Sequence, residues 1–189
     1  VILRKEPYMS DLSSLTPGVW NIDPSHSLVG FTVRHLMISK VRGTFGSFAA
    51  TIVTGENPEG TKITASAQVA SINTNDEGRD GHLRTNDFFD AENHPTIEFA
   101  STSVAVAGSD YKVLGNLSLR GVTKPVEFDL EFGGFATDPY GNYKLAATVT
   151  GVINREDFGV VWNAPLETGG VLVGEKVTIT IELQAALQA

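Results

Sequence analysis

An all-β chain, closed into one antiparallel up-and-down barrel of eight strands with a single short inserted helix, is the architecture this sequence predicts. Three observations predict it. The dominant hydrophobic period is two, clusters of Gly, Pro, Asn and Asp interrupt it at intervals, and only the stretch from about 73 to 95 abandons the alternation.

Taken in order, a lead-in strand over 18–23 ends at Asp23-Pro24, where the missing proline N–H interrupts a ladder. Alternation then covers 27–36, 40–54 and 61–71, and resumes over 96–105, 111–120, 123–134, 143–154 and 174–186. The clearest cases are Val126, Phe128, Leu130 and Phe132, which alternate with Glu127, Asp129 and Glu131, and Val177, Ile179, Ile181 and Leu183, which alternate with Thr178, Thr180 and Glu182. Such strands have one wet face and one buried face. Gly55-Glu-Asn-Pro58, Gly108-Ser-Asp110 and Asp138-Pro-Tyr-Gly141 mark turns between them. In the exceptional stretch, Thr74-Asn-Asp-Glu77 reads as a capping box that opens a short helix. Gly78 and Gly81 each weaken that helix by about 1 kcal/mol relative to Ala, so it depends on packing. With no repeats, linkers or low-complexity tracts, the consecutive strands point to a single closed barrel.

The 189 residues suit one domain, expected over 18–189, with 1–17 as an extension in which Met9 makes a natural start. A net charge of −8 argues against nucleic acid and anionic membrane surfaces as partners, since either calls for a basic patch and no stretch of Lys or Arg supplies one. The absence of cysteine removes disulfides, thiolate catalysis and thiolate metal sites, while leaving the redox compartment open. No apolar run reaches the roughly 18 residues of a spanning helix, and the amino terminus lacks a secretory layout. These features lead us to expect a cytoplasmic protein, with a periplasmic or secreted product of signal-peptide removal as the alternative.

An eight-stranded barrel can be filled by side chains or can hold one small ligand. Side-chain volume favours the ligand. Ala65 and Ala67 lie on one face of 61–71, and Ala147 and Gly151 on one face of 143–154, so the middle of these strands is small and apolar. Phe31, Phe45, Phe48, Phe88, Phe89, Phe99, Phe128, Phe158 and Trp162 are candidates to line the space, with Trp20 and Phe132 also available. Ordinary core packing is the competing role for each. The adjacent pair Phe88-Phe89 is the exception, because neighbours in an extended segment point to opposite sides and one needs a cover or a ligand.

Four ordered blocks carry a family resemblance. They are His26-Ser-Leu-Val-Gly-Phe31-Thr-Val-Arg-His35 with Val41-Arg-Gly-Thr-Phe45-Gly-Ser-Phe48, then Arg79-Asp-Gly-His82 through Asp90 with Pro95 and Phe99, then Leu117-Ser-Leu-Arg-Gly121-Val-Thr-Lys-Pro125, and finally Ile153-Asn-Arg155-Glu-Asp-Phe158-Gly159. Over roughly Val19 to Leu183 the chain resembles the YceI-like family of lipocalin-like barrels that bind polyisoprenoid and related lipids. The resemblance implies non-covalent binding of a long apolar lipid, such as a polyprenyl phosphate or an isoprenoid quinone, for carriage or storage. It implies no cofactor and often a homodimer. Asp80, His82, Arg84 and Arg155 stand in the family-like motifs as charged candidates for the lipid head group, joined by His26 and His35. Structural roles compete here too: a histidine can bridge a loop, Arg155 can pair with Glu156, Asp157 or Asp80, and Arg120 beside Gly121 reads as a solvated turn residue.

Catalysis finds little support. G-x-S-x-G, H-E-x-x-H, C-x-x-C and a phosphate-cradling glycine loop are all absent, and the four histidines have no tight metal-ligand spacing. An enzyme acting on a hydrophobic substrate, with Asp80 and His82 as an acid/base pair, is the alternative reading; a stress-associated structural module is the second.

Overall fold

Residues 15–189 are described by the computed structural model. The extension expected over 1–17 therefore lies outside the described residues up to residue 14.

Among the described residues, eleven strands form a single sheet that closes on itself. β1 (Gly18–Ile22) leads through a short 3-10 turn to β2 (Leu28–His35), and a hairpin joins β2 to β3 (Ser39–Phe45). β4 (Phe48–Thr54), β5 (Lys62–Gln68) and the two-residue β6 (Ile72–Asn73) follow. The helix α1 (Glu77–Arg84) comes next, and then four long strands and a fifth: β7 (Thr96–Ala107), β8 (Asp110–Leu119), β9 (Val122–Thr137), β10 (Tyr143–Asn154) and β11 (Val173–Leu187). From β4 onward the ring follows chain order through β5, β7, β8, β9, β10 and β11. β11 closes it by pairing its first part with β2, Ile179 opposite Phe31, and its last part with β1, Leu187 opposite Trp20.

Three stretches are bent strands in two parts: β1 with β2, β3 with β4, and β5 with β6. The continuous strand expected over 40–54 is one of these, broken at Gly46-Ser47. β3 pairs with β2 and β6, whereas β4 pairs with β1 and β5. The break is stitched by the Gly46 N–H donating to Ser71 O at 3.1 Å and by Gln68 N–H donating to Ser47 O at 2.8 Å. The strand expected over 61–71 likewise ends at Gln68 and gives way to a 3-10 turn over Val69–Ser71. Counted by position, the ring holds eight strands, as the alternation predicts.

One end of the barrel is floored by Trp20, fully buried among Ile52, Leu145 and Ala185, with Phe135 and Tyr143 against its ring. Its indole N–H donates to Thr54 Oγ1 at 2.9 Å, so the polar atom of the buried ring is satisfied. The other end carries α1, the 3-10 turn Arg155–Phe158, the loop that follows it and the β2–β3 hairpin.

α1 does not begin with the expected capping box. Asp76 is the N-cap, accepting from Arg79 N–H at 2.8 Å. Thr74 instead lies buried beside Asp80. The Asp80 carboxylate accepts from Thr74 N–H at 2.9 Å and from its hydroxyl at 2.6 Å, and Arg79 Nε donates to the same hydroxyl oxygen at 2.7 Å. A buried carboxylate with these partners pins the helix to β6, which offsets the cost of the two glycines.

Candidate functional site

A cavity of about 290 Å³ runs along the barrel interior from the Trp20 floor to α1. Apart from Thr54, Thr61, Ser66, Glu98 and Arg155, every side chain along it is apolar. The wall therefore offers dispersion and desolvation, which select for length and apolar character rather than for a hydrogen-bonding pattern.

The position of the phenylalanines explains why a barrel of this size is not filled. Inward positions on three strands are glycines, and a phenyl ring from elsewhere lies over each. Phe31 covers Gly43, Phe99 covers Gly115 and Phe128 covers Gly151, so closely that a Cβ on any of these glycines would collide with the ring. The rings lie along the wall in place of the missing side chains instead of crossing the lumen. Ala65, Ala67 and Ala147 keep the remaining wall thin.

The cavity is lined by Phe31, Phe45, Phe48, Ala65, Ala67, Phe88, Phe89, Phe99, Phe128 and Ala147. Phe158 and Trp162 are placed elsewhere. Phe158 is 2% exposed and packs with Leu117, Leu119 and Val160 behind the wall, while Trp162 sits on His82 and Phe88 at ring-centroid distances of 4.9 and 5.2 Å. Phe88 and Phe89 do point to different neighbours, Phe88 to Trp162 and Phe89 to Phe45, and both close the helical end of the cavity.

Of the charged candidates, only Arg155 borders the cavity. It is 4% exposed and pairs with none of Glu156, Asp157 or Asp80. Its guanidinium donates to the carbonyls of Gly174 at 2.8 Å, Val160 at 2.6 Å, Trp162 at 3.0 Å and Val173 at 3.3 Å. Burial pulls its pKa below the ordinary arginine value, against the weaker influence of Glu156 and Glu175. Arg84 is similarly engaged, donating to Ala70 O and Ile72 O, each at 3.2 Å. Asp80 is buried under Thr74, and His82 bonds to Asp87 at 2.7 Å, so the acid/base pair of Asp80 with His82 is not formed. His26 lies on the outer surface near the opposite end, bonded to Asp23 at 2.9 Å, and His35 closes the β2–β3 hairpin. Among the described residues no group of His, Asp and Glu is placed to hold a metal.

Arg120 is more than a solvated turn residue. In a left-handed conformation at φ 51°, it donates to Gly159 O, to Asn86 O at 2.7 Å and to Asn86 Oδ1 at 2.6 Å, tying the helical segment to the 155–159 turn. The signal available in the sequence was the turn at Gly121; the long-range acceptors of Arg120 were not visible locally.

The fold and its interior define a lipocalin-like barrel with an apolar cavity. The chain belongs to the YceI-like family, whose domain matches residues 20–185. It is 41% identical over 160 residues to UPF0312 protein SAS2572 of Staphylococcus aureus (strain MSSA476), covering 84% of this chain and 91% of that protein. It is similar to the Campylobacter jejuni YCEI protein at a TM-score of 0.71 and 29% identity, over 82% of this chain and 90% of that one. A polyisoprenoid binding domain from Saccharophagus degradans shares the fold at a TM-score of 0.69 and 13% identity, over 92% of this chain and all of that domain (100%).

Proposed function

We propose that this barrel binds one long apolar lipid non-covalently, a polyisoprenoid chain in the lumen, and serves to carry or store it. The observation that carries the reading is the apolar cavity along the barrel interior, kept open by phenylalanines laid over glycines. The fold it shares with the Saccharophagus polyisoprenoid binding domain supports the same ligand class. Each methylene buried in such a wall contributes about 0.8 kcal/mol, so chain length alone suffices for affinity. Because Arg84 and Arg155 spend their donors on backbone carbonyls, a weakly polar end such as a quinone fits better than a phosphate.

Native mass spectrometry of the protein as purified tests this reading. The expected result is a bound species that organic extraction releases chemically unchanged and identifies as an isoprenoid lipid. Protein that arrives empty and fails to retain an added isoprenoid quinone would overturn it, as would conversion of that lipid to a product.

A further inference from the structure

At the helical end of the barrel, the turn of the β2–β3 hairpin projects three apolar side chains into solvent: Leu36 is 40% exposed, Met37 58% and Ile38 80%. Leu36 and Met37 also hold φ values of 54° and 64°, in the left-handed region where a hairpin turn ordinarily takes Asn or Gly. Apolar side chains are thus held, against backbone preference, at the place where water contact is greatest. Val171, 38% exposed, lies beside them, since Leu36 N–H donates to Leu172 O and Met37 packs over Gly170.

Behind this tip the outer face of the hairpin is cationic. Arg34 stands directly opposite Lys40, and Arg42 opposite Thr32, all on the face away from Phe31 and Val33, which line the cavity. Like charges directly opposed across a ladder are destabilising. Among the described residues none of the three cations is in an ion pair. Although the chain carries 22 acidic residues, none falls between Asp23 and Glu56, so the whole hairpin is free of carboxylates. On the elements paired with the hairpin, the acidic residues are Glu175 and Glu182 on β11, the former accompanied by Lys176, and Asp76 and Glu77 just beyond β6.

We propose that this hairpin docks on the surface of an anionic lipid bilayer, with Met37 and Ile38 entering the interface and Arg34, Lys40 and Arg42 meeting the phosphates. The convex, apolar tip needs a fluid apolar phase, which nucleic acid does not offer, and the unpaired cations need anions just behind that phase. A short apolar anchor and a small basic patch are each weak, and together they give reversible attachment. The overall charge of −8 opposes approach, which favours contact through this hairpin, the stretch that carries no carboxylate of its own. Docking places the Phe88-Phe89 end of the cavity at the membrane, although the surface itself is independent of what the cavity holds.

Vesicle flotation tests the proposal, using phosphatidylcholine alone and phosphatidylcholine mixed with phosphatidylglycerol. Wild-type protein is expected to float with the mixed vesicles only, and less so as salt is raised. The variant Arg34→Gln/Lys40→Gln/Arg42→Gln should lose on the order of 100-fold in partitioning, and Met37→Asn/Ile38→Ser at least about tenfold. Thermal midpoints should equal or exceed wild type, because the altered side chains are outside the core, the opposed like charges are gone and Asn suits the left-handed turn. Failure to float with the mixed vesicles, equal flotation with both, or unchanged flotation of the triple variant overturns the proposal, as does capture of an oligonucleotide in place of vesicles. Cavity occupancy, read by native mass spectrometry on the same samples, reports separately on the carrier reading.

Discussion

Adding a single methyl group at Gly151 provides a sharp test of how the cavity is kept open. In Gly151→Ala the new Cβ would collide with the Phe128 ring, with Cε1 at 2.8 Å, and would come within 3.2 Å of the Glu127 carbonyl. The backbone on that side is fixed by the β8–β9 ladder, where Phe128 faces Val113, so the ring is the part that can yield, and it can yield only into the lumen. Overpacking of this kind costs about 1–3 kcal/mol, which for a domain of this size lowers Tm by roughly 2–12 °C. A ring edge that displaces about four methylenes of bound lipid removes about 3 kcal/mol of affinity, or roughly a hundredfold in Kd. Calorimetry and displacement of a fluorescent isoprenoid analogue measure the two effects. The decisive measurement is the double variant Gly151→Ala/Phe128→Leu, which removes the collision and should recover affinity and stability beyond additivity, by an interaction energy of about 1 kcal/mol or more. Strictly additive losses would refute the idea that the glycine is there to seat the ring.

Three further outcomes are expected. Arg155→Met leaves four carbonyls of the 160–174 segment without their shared donor; it should lower stability by at least about 2 kcal/mol in urea titration and accelerate hydrogen exchange across that segment. Gly81→Ala meets no neighbour within 4 Å, so it should firm up α1 by about 1 kcal/mol and slow lipid release in stopped-flow measurements; release at the wild-type rate would move the exit away from this helix. Lys144 bridges Asp23 at 2.9 Å and Asp138 at 3.4 Å on the outer surface near the floor. Hydrogen bonds from Asn142 lower the Asp138 carboxyl from 3.8 to about 2; those from Ser25, Lys144 and His26 take Asp23 lower still. Both carboxylates thus favour the folded state fully above about pH 4; the Asp138 contribution is lost as the pH falls through about 2, and that of Asp23 at lower pH still. Asp23→Asn/Asp138→Asn should therefore flatten the acid limb of Tm against pH, and an unchanged limb would remove the pair from the account.

The barrel was legible because every strand with one wet face carries its own evidence, as Val126 through Phe132 do, and the small residues Ala65, Ala67 and Ala147 foretold the cavity. What stayed hidden depended on partners distant in sequence. The break at Gly46-Ser47 leaves the alternation intact and becomes visible only when β3 and β4 meet different neighbours. Thr74 has the chemistry of a helix cap, yet Asp80 claims its hydroxyl, because a buried carboxylate needs donors more urgently than an exposed helix start does. Phe128 and Gly151 lie too far apart for any local pattern to pair them. The head-group candidates suffered most, since a charged residue in a motif reads the same whether it faces a ligand or, like Arg155, four backbone carbonyls.

β11 holds three neighbours, β10, β1 and β2, and it is the last of the strands to be synthesised. Until Val173–Leu187 has emerged from the ribosome, the earlier strands can form at most an open cup whose apolar lining faces water. The seam therefore gives the nascent protein an interval in which its interior is accessible from the side, without any lid having to move. A hydrophobic cargo present at that moment could be enclosed as the ring shuts, so a barrel made in its presence and one refolded without it would start their lives in different states of occupancy.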